Sequence, residues 1–179
     1  MIQLFYTGVV KHNDLQPDTL RSLGGHISAT NFYNGSQDNL FDQLTVSQIK
    51  NKQSQYRLLA LKATGVTTDL KIWLEASSDL IDFKLAFVEP EPDDCSNPIF
   101  ESIPFNTVQP SQATFGVYTQ SSPPLTSFTS ESYLGIWIKQ EIKDNAYTIV
   151  RNKYKCDDFK DNLENEKQII NFTIRVEHN

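Results

Sequence analysis

One six-residue segment, YRLLAL, has apolar side chains on both of its faces, and this feature constrains the fold more than any other. In an extended chain, Tyr56, Leu58 and Ala60 face one way. Leu59 and Leu61 face the other way. A strand that is apolar on both faces belongs in the middle of a sheet whose two faces are both covered. We therefore expect a β-sheet core with this strand at its centre.

Alternation of apolar and polar side chains with a period of two marks further strands along the chain. We expect them at 2–10, 26–30, 70–75, 83–88, 99–103, 113–119, 132–142 and 170–177. Helical patterns are confined to a turn at 38–44, a short helix or turn within 45–54 and an amphipathic helix at 153–166. The sequence therefore predicts an all-β fold, an antiparallel β-sandwich of about seven or eight strands with long loops and one short C-terminal helix, in a single domain over residues 1–179.

The balance of charges excludes several classes of partner. Sixteen Lys and Arg residues against 22 Asp and Glu residues give a net charge of −6, so the basic footprint of a nucleic-acid-binding protein is lacking. The first residues, MIQLFYTGVVKHND, lack the basic region of a signal peptide, and no apolar run has the length of a membrane span. We expect a protein that is made in a cytoplasm and binds neither a membrane nor a specific nucleic acid.

The residues that usually hold metals are scattered. Cys95 and Cys156 lie far apart in the sequence, and neither has a second Cys or His at metal-ligand spacing. The acidic residues between 157 and 166 lack the fixed order of a calcium-binding loop. We predict no metal site and no cofactor, and two free thiols are favoured over a disulfide, which the sequence leaves open.

Potential catalytic groups are equally sparse. Asp93 and Asp94 are adjacent carboxylates, but neighbours on an extended loop point to opposite sides, so a solvated turn is favoured over an acid–base pair. The Gly-Gly-His triplet at 24–26 is similar to an oxyanion loop but lacks an accompanying G-x-S-x-G motif, which favours a turn with positive φ. A thiol–imidazole pair of Cys95 with that histidine is disfavoured by the acidic residues around the thiol. We predict no catalytic residues and a chain that is not an enzyme.

Two loop-rich stretches, 11–37 and 89–112, place much of the backbone outside the strands. Loops of this length in a compact domain are usually functional, and neighbouring subunits of an assembly can bury them. We predict that the segment from Leu20 to Leu44 forms the interface, and we expect its deletion to leave a folded monomer that no longer assembles. The residues predicted to contact partners are Leu23, Gly24, Gly25, His26, Phe32, Tyr33, Leu40 and Phe41.

Three aromatic residues on predicted strands, Trp73, Tyr133 and Trp137, allow a different function. Exposed together on one face, they would form a platform on which sugar rings stack. Packing between the two sheets is the alternative and the favoured interpretation. Exposure of these side chains therefore distinguishes a carbohydrate-binding module from an assembly protein.

Six segments, taken in order, resemble a family of small structural proteins in tailed bacteriophages of the podovirus-like and crAss-like groups. They are LFYTGVV (4–10), SLGGHISAT (22–30), NLFDQLT (39–45), YRLLALKATG (56–65), IWLEA (72–76) and LGIWIKQEI (134–142). The resemblance implies a virion protein, made in the bacterial host, that forms a homo-oligomeric ring or collar in the neck or tail. Its partners would be other virion proteins, such as portal, ring, tail or capsid proteins. The alternatives are a capsid decoration protein and a carbohydrate-binding module for host recognition.

Overall fold

The computed structural model describes residues 1–32, 40–42, 44–76, 78–153 and 172–179. Two α-helices, α1 (Val46–Lys50) and α2 (Ala146–Lys153), and a 3-10 turn (Thr19–Arg21) accompany the strands. The described strands are β1 (Ile2–Val9), β2 (Gly25–Asn31), β3 (Gln55–Ala63), β4 (Thr67–Ala76), β5 (Ile81–Val88), β6 (Glu91–Pro92), β7 (Pro98–Phe100), β8 (Thr126–Phe128), β9 (Ser132–Ile142) and β10 (Phe172–Glu177).

The strands form two sheets. The larger sheet has seven strands in the order β5-β9-β3-β1-β2-β7-β6, and the smaller has three in the order β10-β4-β8. All named strand pairs are antiparallel. The central pair, β3 and β9, runs in unbroken register from Gln55 opposite Gln140 to Ala63 opposite Ser132. The prediction of an all-β antiparallel sandwich is confirmed.

Strand β3 is covered on both faces, as its sequence predicts. Leu59 and Leu61 point into the space between the two sheets, where they pack with Leu70 of β4. Leu58 points to the opposite face and packs with Trp137 of β9. All five side chains are fully buried, and full burial of a leucine side chain contributes about 1.5–3 kcal/mol.

The outer face of the larger sheet is covered by the connection between β7 and β8. Ile103 and Ala113 of this connection are buried in the cluster that contains Leu58. The N–H of Tyr56 donates to the carbonyl oxygen of Asn106 at 2.7 Å, which fastens the connection to the edge of β3. Part of the second loop-rich stretch is therefore core, because the sheet buries its outer face against it.

Two local expectations are corrected by the structure. The predicted strand at 113–119 is wrong, since only Gly116 pairs, in an isolated bridge with Leu85 of β5. The side chain of Phe115 packs on the outer-face cluster and that of Tyr118 on the inter-sheet core, so this segment crosses the sheet edge and cannot extend along it. Strand β8, conversely, lies between the strands expected at 113–119 and 132–142, in a stretch where the sequence predicts none.

The helical expectations are met in part. Helix α1 lies within 45–54 and begins with a capping box, in which Thr45 and Gln48 bond each other's backbone N–H. The described residues of 38–44 are not helical. The helix expected at 153–166 lies outside the described residues except for Lys153, the last residue of α2.

Candidate protein-interaction surface

The Gly-Gly turn, which the sequence predicts to be part of an interface, packs against another segment of its own chain. Gly24 has a φ of +92°, and a Cβ at this position would lie 1.8 Å from the carbonyl oxygen of Glu101. Gly25 has a φ of +79°, and its Cβ would lie 3.0 Å from Ser102 Oγ. Only glycine allows this backbone conformation and this close approach of β2 to the chain after β7. The turn with positive φ, favoured over an oxyanion loop, is confirmed.

Ser22 bonds the backbone of β3 at the point where β1 no longer pairs with that strand. The two strands pair only as far as Tyr6 opposite Leu59. Beyond that point Leu58 N–H donates to the Ser22 carbonyl oxygen at 2.8 Å, and Ser22 Oγ donates to the Leu58 carbonyl oxygen at 2.5 Å. Thr7 N–H donates to Ser22 Oγ at 2.8 Å. Ser22 thus satisfies backbone groups that would otherwise be buried without partners.

The described residues of the segment from Leu20 to Leu44 are therefore part of the fold's own framework, and the expectation that deleting the segment leaves a folded monomer is wrong. It contains β2, which lies between β1 and β7 inside the larger sheet. It also supplies the buried side chains of Ile27 and Leu40. Deleting the segment would remove an interior strand, so the remaining chain would not fold as the native monomer.

The other residues predicted to contact partners lie at several different places. Phe32 and Phe41 are half-buried against the inter-sheet core, while Leu40 is fully part of it. Leu23 is half-buried against the outer-face cluster. Tyr33 lies outside the described residues. Contact of the half-buried members with a partner stays a prediction, and their described packing is within the chain.

An ion pair fastens the chain around Asp42 to the larger sheet. Arg57 is fully buried, and its Nη2 donates to Asp42 Oδ2 at 2.6 Å. Asn106 Nδ2 donates to the same oxygen at 2.6 Å. Burial lowers the pKa of Arg57, and the Asp42 carboxylate acts in the opposite direction. A single carboxylate therefore joins β3 to the turn that contains Asn106.

An uncharged stretch, residues 102–130, combines a lack of charge with exposed apolar side chains. Its 29 residues include no Asp, Glu, Lys, Arg or His, whereas 21% of the whole chain is charged. Three of the seven large apolar side chains that are exposed in the described residues belong to it, namely Phe105, Val108 and Val117. Depletion of charge with exposed apolar side chains is typical of the centres of protein interfaces. We take this stretch as the candidate interaction surface.

The sequence alone contained the signal for this surface. The absence of charge over residues 102–130 is visible without a structure, although the pattern of alternation divides the stretch into an expected strand at 113–119 and the chain on either side of it. Which of its apolar residues are exposed depends on tertiary packing, since Ile103 is buried and Phe105, two residues later, is 68% exposed.

Phe105 lies on a firmly anchored turn, which we call the Phe105 turn (residues 104–109). Val108 N–H donates to the Phe105 carbonyl oxygen at 3.0 Å, which closes the turn. Asn106 bonds Asp42 through its side chain and Tyr56 through its carbonyl oxygen. An aromatic side chain that is exposed on a fixed backbone loses little conformational freedom when it binds.

A second uncharged feature is a groove at the edge of the sandwich, which we call the edge groove. Its volume is about 430 Å³, within the range of about 300–1,000 Å³ that is usual for binding pockets. Asn31 Oδ1 is buried beside it without a hydrogen-bond partner. None of the residues that line it is Asp, Glu, Lys or Arg. Its lining comes from β1, the end of β2 and the end of β10, and includes Ile2, Gln3, Leu4, Phe32, Val176 and His178.

The adjacent carboxylates form a turn, as expected. Asp93 Oδ1 accepts hydrogen bonds from the N–H groups of Asn97 at 2.7 Å and Cys95 at 2.8 Å. The Asn97 backbone N–H is the main cause that lowers the pKa of Asp93. His26 Nδ1 lies 3.8 Å from Asp93 Oδ2, beyond hydrogen-bond distance. These contacts describe a stable polar turn with an exposed free thiol at Cys95.

Candidate metal ligands do not converge in the part of the chain that the structure describes. No group of three or more His, Cys, Asp or Glu side chains there has the geometry to hold a metal ion. Cys156 lies outside the described residues. Burial lowers the pKa of His12, whose Nδ1 is buried without a hydrogen-bond partner.

The three aromatic residues considered for sugar binding do not form a platform. Trp137 is fully buried, and Trp73 is buried on β4. Tyr133 is half-buried, and burial raises its pKa. Its ring faces the ammonium group of Lys62, which lies 5.4 Å from the ring centroid. Both tryptophans are therefore buried and not exposed, but Trp137 packs in the outer-face cluster with Leu58 and not, as the sequence favours, between the two sheets.

Comparisons with protein-family models, with curated proteins and with solved structures find no match to this chain. In the described ranges, no helix is both long enough and apolar enough to cross a membrane. The uncharged stretch and the edge groove are accordingly interpreted from their own chemistry.

Proposed function

We propose that this chain is a non-enzymatic structural protein of a tailed-bacteriophage virion. In this proposal it forms a homo-oligomeric ring or collar in the neck or tail and contacts other virion proteins, such as portal or tail components. Its function lies in protein–protein contacts. Its site of action is the virion, after synthesis in the bacterial host.

The observation on which this proposal rests is the uncharged surface of residues 102–130. A chain with a net charge of −6 repels its own copies, so self-assembly is easiest where charge is absent. Phe105 and Val117 are about 70% exposed on that stretch (68% and 73%), and apolar groups so exposed stabilise an assembly when a neighbour covers them.

The sequence resemblance adds support, because five of its segments coincide with strands of one sandwich. LFYTGVV includes most of β1, SLGGHISAT includes Ser22 and most of β2, and YRLLALKATG includes most of β3, while IWLEA lies on β4 and LGIWIKQEI lies on β9. The resemblance therefore concerns segments that determine the fold.

Mass spectrometry of purified particles tests the proposal. Particles of the phage that encodes the chain are separated on a density gradient, and the chain is quantified against the major capsid protein in each fraction. We expect a constant ratio across the particle peak. A host protein of similar abundance serves as the control for contamination. A chain that remains in the soluble lysate fractions and is absent from particles refutes the virion role.

A further inference from the structure

The Phe105 turn and the edge groove lie at opposite ends of β3. The turn is fastened to Tyr56, near the start of the strand. The groove contains Ile2, which is paired with Ala63 at the end of the strand. Six or seven residues of extended chain separate these two places by roughly 20 Å. The turn therefore cannot reach the groove of its own subunit.

The two surfaces match in chemistry. The Phe105 turn, PFNTVQ, has no charged residue and presents an exposed aromatic ring. The edge groove is lined by apolar side chains and by Gln3, Asn31 and His178 at its polar positions. Neither set of residues includes an Asp, Glu, Lys or Arg, so contact between them adds little to the charge repulsion between copies of an acidic chain.

We propose that the Phe105 turn of one copy inserts into the edge groove of the next copy. This inference deepens the proposed function and rests on it, since it names the surfaces through which the subunits of a ring meet. The contact joins two different surfaces, so it is a head-to-tail contact. Repeated, such a contact closes into a ring if the rotation between copies allows it and otherwise forms a filament.

A disulfide cross-link tests the contact directly. Phe105→Cys and Gln3→Cys are introduced together in the full chain, with Cys95→Ser and Cys156→Ser to remove the native thiols. A disulfide requires Cα atoms within about 7 Å, so the two new cysteines cannot join within one subunit. Oxidation should give covalent dimers and larger species that reduction returns to the monomer. The oxidation is carried out at a concentration at which the wild type associates. If the cysteine variant remains monomeric there, the proposal is overturned.

Single substitutions then measure the contribution of each surface by sedimentation velocity over a concentration series. An aromatic anchor at the centre of an interface typically contributes enough that Phe105→Ala should weaken self-association at least about 30-fold. Gln3→Glu places a charge in the edge groove and should weaken it as much. The matched control, Val10→Ala, removes a side chain that is 86% exposed elsewhere, and it should change the affinity less than about threefold. Far-ultraviolet circular dichroism confirms that each variant is folded.

Mixing the two variants distinguishes a head-to-tail contact from a symmetric one. Phe105→Ala chains keep an intact groove and Gln3→Glu chains keep an intact turn, so the mixture should form 1:1 dimers and nothing larger. Wild-type chain that stays monomeric at about 100 μM, or that associates only when another virion polypeptide is added, overturns the self-contact. If the self-contact fails but the chain is still detected in particles, the virion role stands. Failure of the self-contact and failure of the virion role are therefore distinguishable.

Discussion

Removing the carboxylate of Asp42 should destabilise the chain, because this carboxylate is the partner of a buried guanidinium. Asp42→Ala leaves the guanidinium of Arg57 fully buried with one remaining described bond, from Nη1 to the Tyr56 carbonyl oxygen at 2.9 Å. Arg57 Nε has no hydrogen-bond partner even in the native chain. The substitution also removes the acceptor of Asn106 Nδ2. The loss of stability is large because the charge of Arg57 stays buried without its carboxylate partner.

The magnitude follows from the burial of the two partners. Breaking a buried ion pair by removing one partner costs about 3–5 kcal/mol. The Asp42 side chain is 40% exposed, so water can replace part of the carboxylate and the cost lies at the lower end. We expect a loss of about 3 kcal/mol in the free energy of unfolding. For a chain of this size the melting temperature should fall by roughly 6–12 °C.

Urea denaturation, followed by the fluorescence of the buried tryptophans, measures this loss. The double variant Arg57→Met/Asp42→Ala removes the stranded charge as well and should be more stable than Asp42→Ala alone. Asp144→Ala, which breaks the exposed pair with Lys52, is the control and should leave the melting temperature nearly unchanged. A loss below about 1 kcal/mol for Asp42→Ala, or no recovery in the double variant, refutes the assignment of Arg57 as a buried, paired charge.

Two further predictions concern the contacts beneath the interaction surface. In thermal unfolding, Gly24→Ala should lower the free energy of unfolding by at least about 2 kcal/mol more than Gly65→Ala does. Both glycines have φ near +92°, but only at Gly24 would a Cβ meet backbone atoms. Equal losses of stability would contradict the close approach of Gly24 to Glu101. Burial raises the pKa of Glu101, but the N–H donors of Ser111 and Gln112 outweigh it, so the net pKa is lowered. The stabilisation from this carboxylate is present above its unfolded pKa of about 4.5 and is lost as pH falls through the lower folded pKa. Glu101→Gln should therefore make the free energy of unfolding fall less steeply on the acid side of the pH profile. An unchanged acid side would contradict this role of Glu101.

The elements that could be predicted from the sequence are those with a local signal. Strand β3 is apolar on both faces over six residues, and β9 alternates cleanly from Leu134 to Ile142, so both were expected where they lie. Strand β8, with three residues, is too short for a period to be read. The segment around Gly116 alternates as a strand would but pairs at one residue, because its neighbours pack on opposite sides of the sheet edge.

The parts that could not be predicted depend on contacts between distant segments. Nothing local indicates that Gly24 faces the carbonyl of Glu101 or that Ser22 replaces a strand beside Leu58. The interface was therefore expected in a segment that the fold needs for its own core. The surface of residues 102–130 could be recognised from its lack of charge, but the exposure of Phe105 required the tertiary structure.

Hydroxyl-radical footprinting tests most directly whether the uncharged stretch touches other polypeptides. Oxidation of Phe105 and Val117 is measured by mass spectrometry in the free chain and in purified particles, with the exposed Val10 as an internal reference. We expect Phe105 to be oxidised at least about tenfold more slowly in particles, while Val10 changes little. Equal oxidation of Phe105 in the two states would mean that this surface stays in water within the virion, and the assignment of function to it would be wrong.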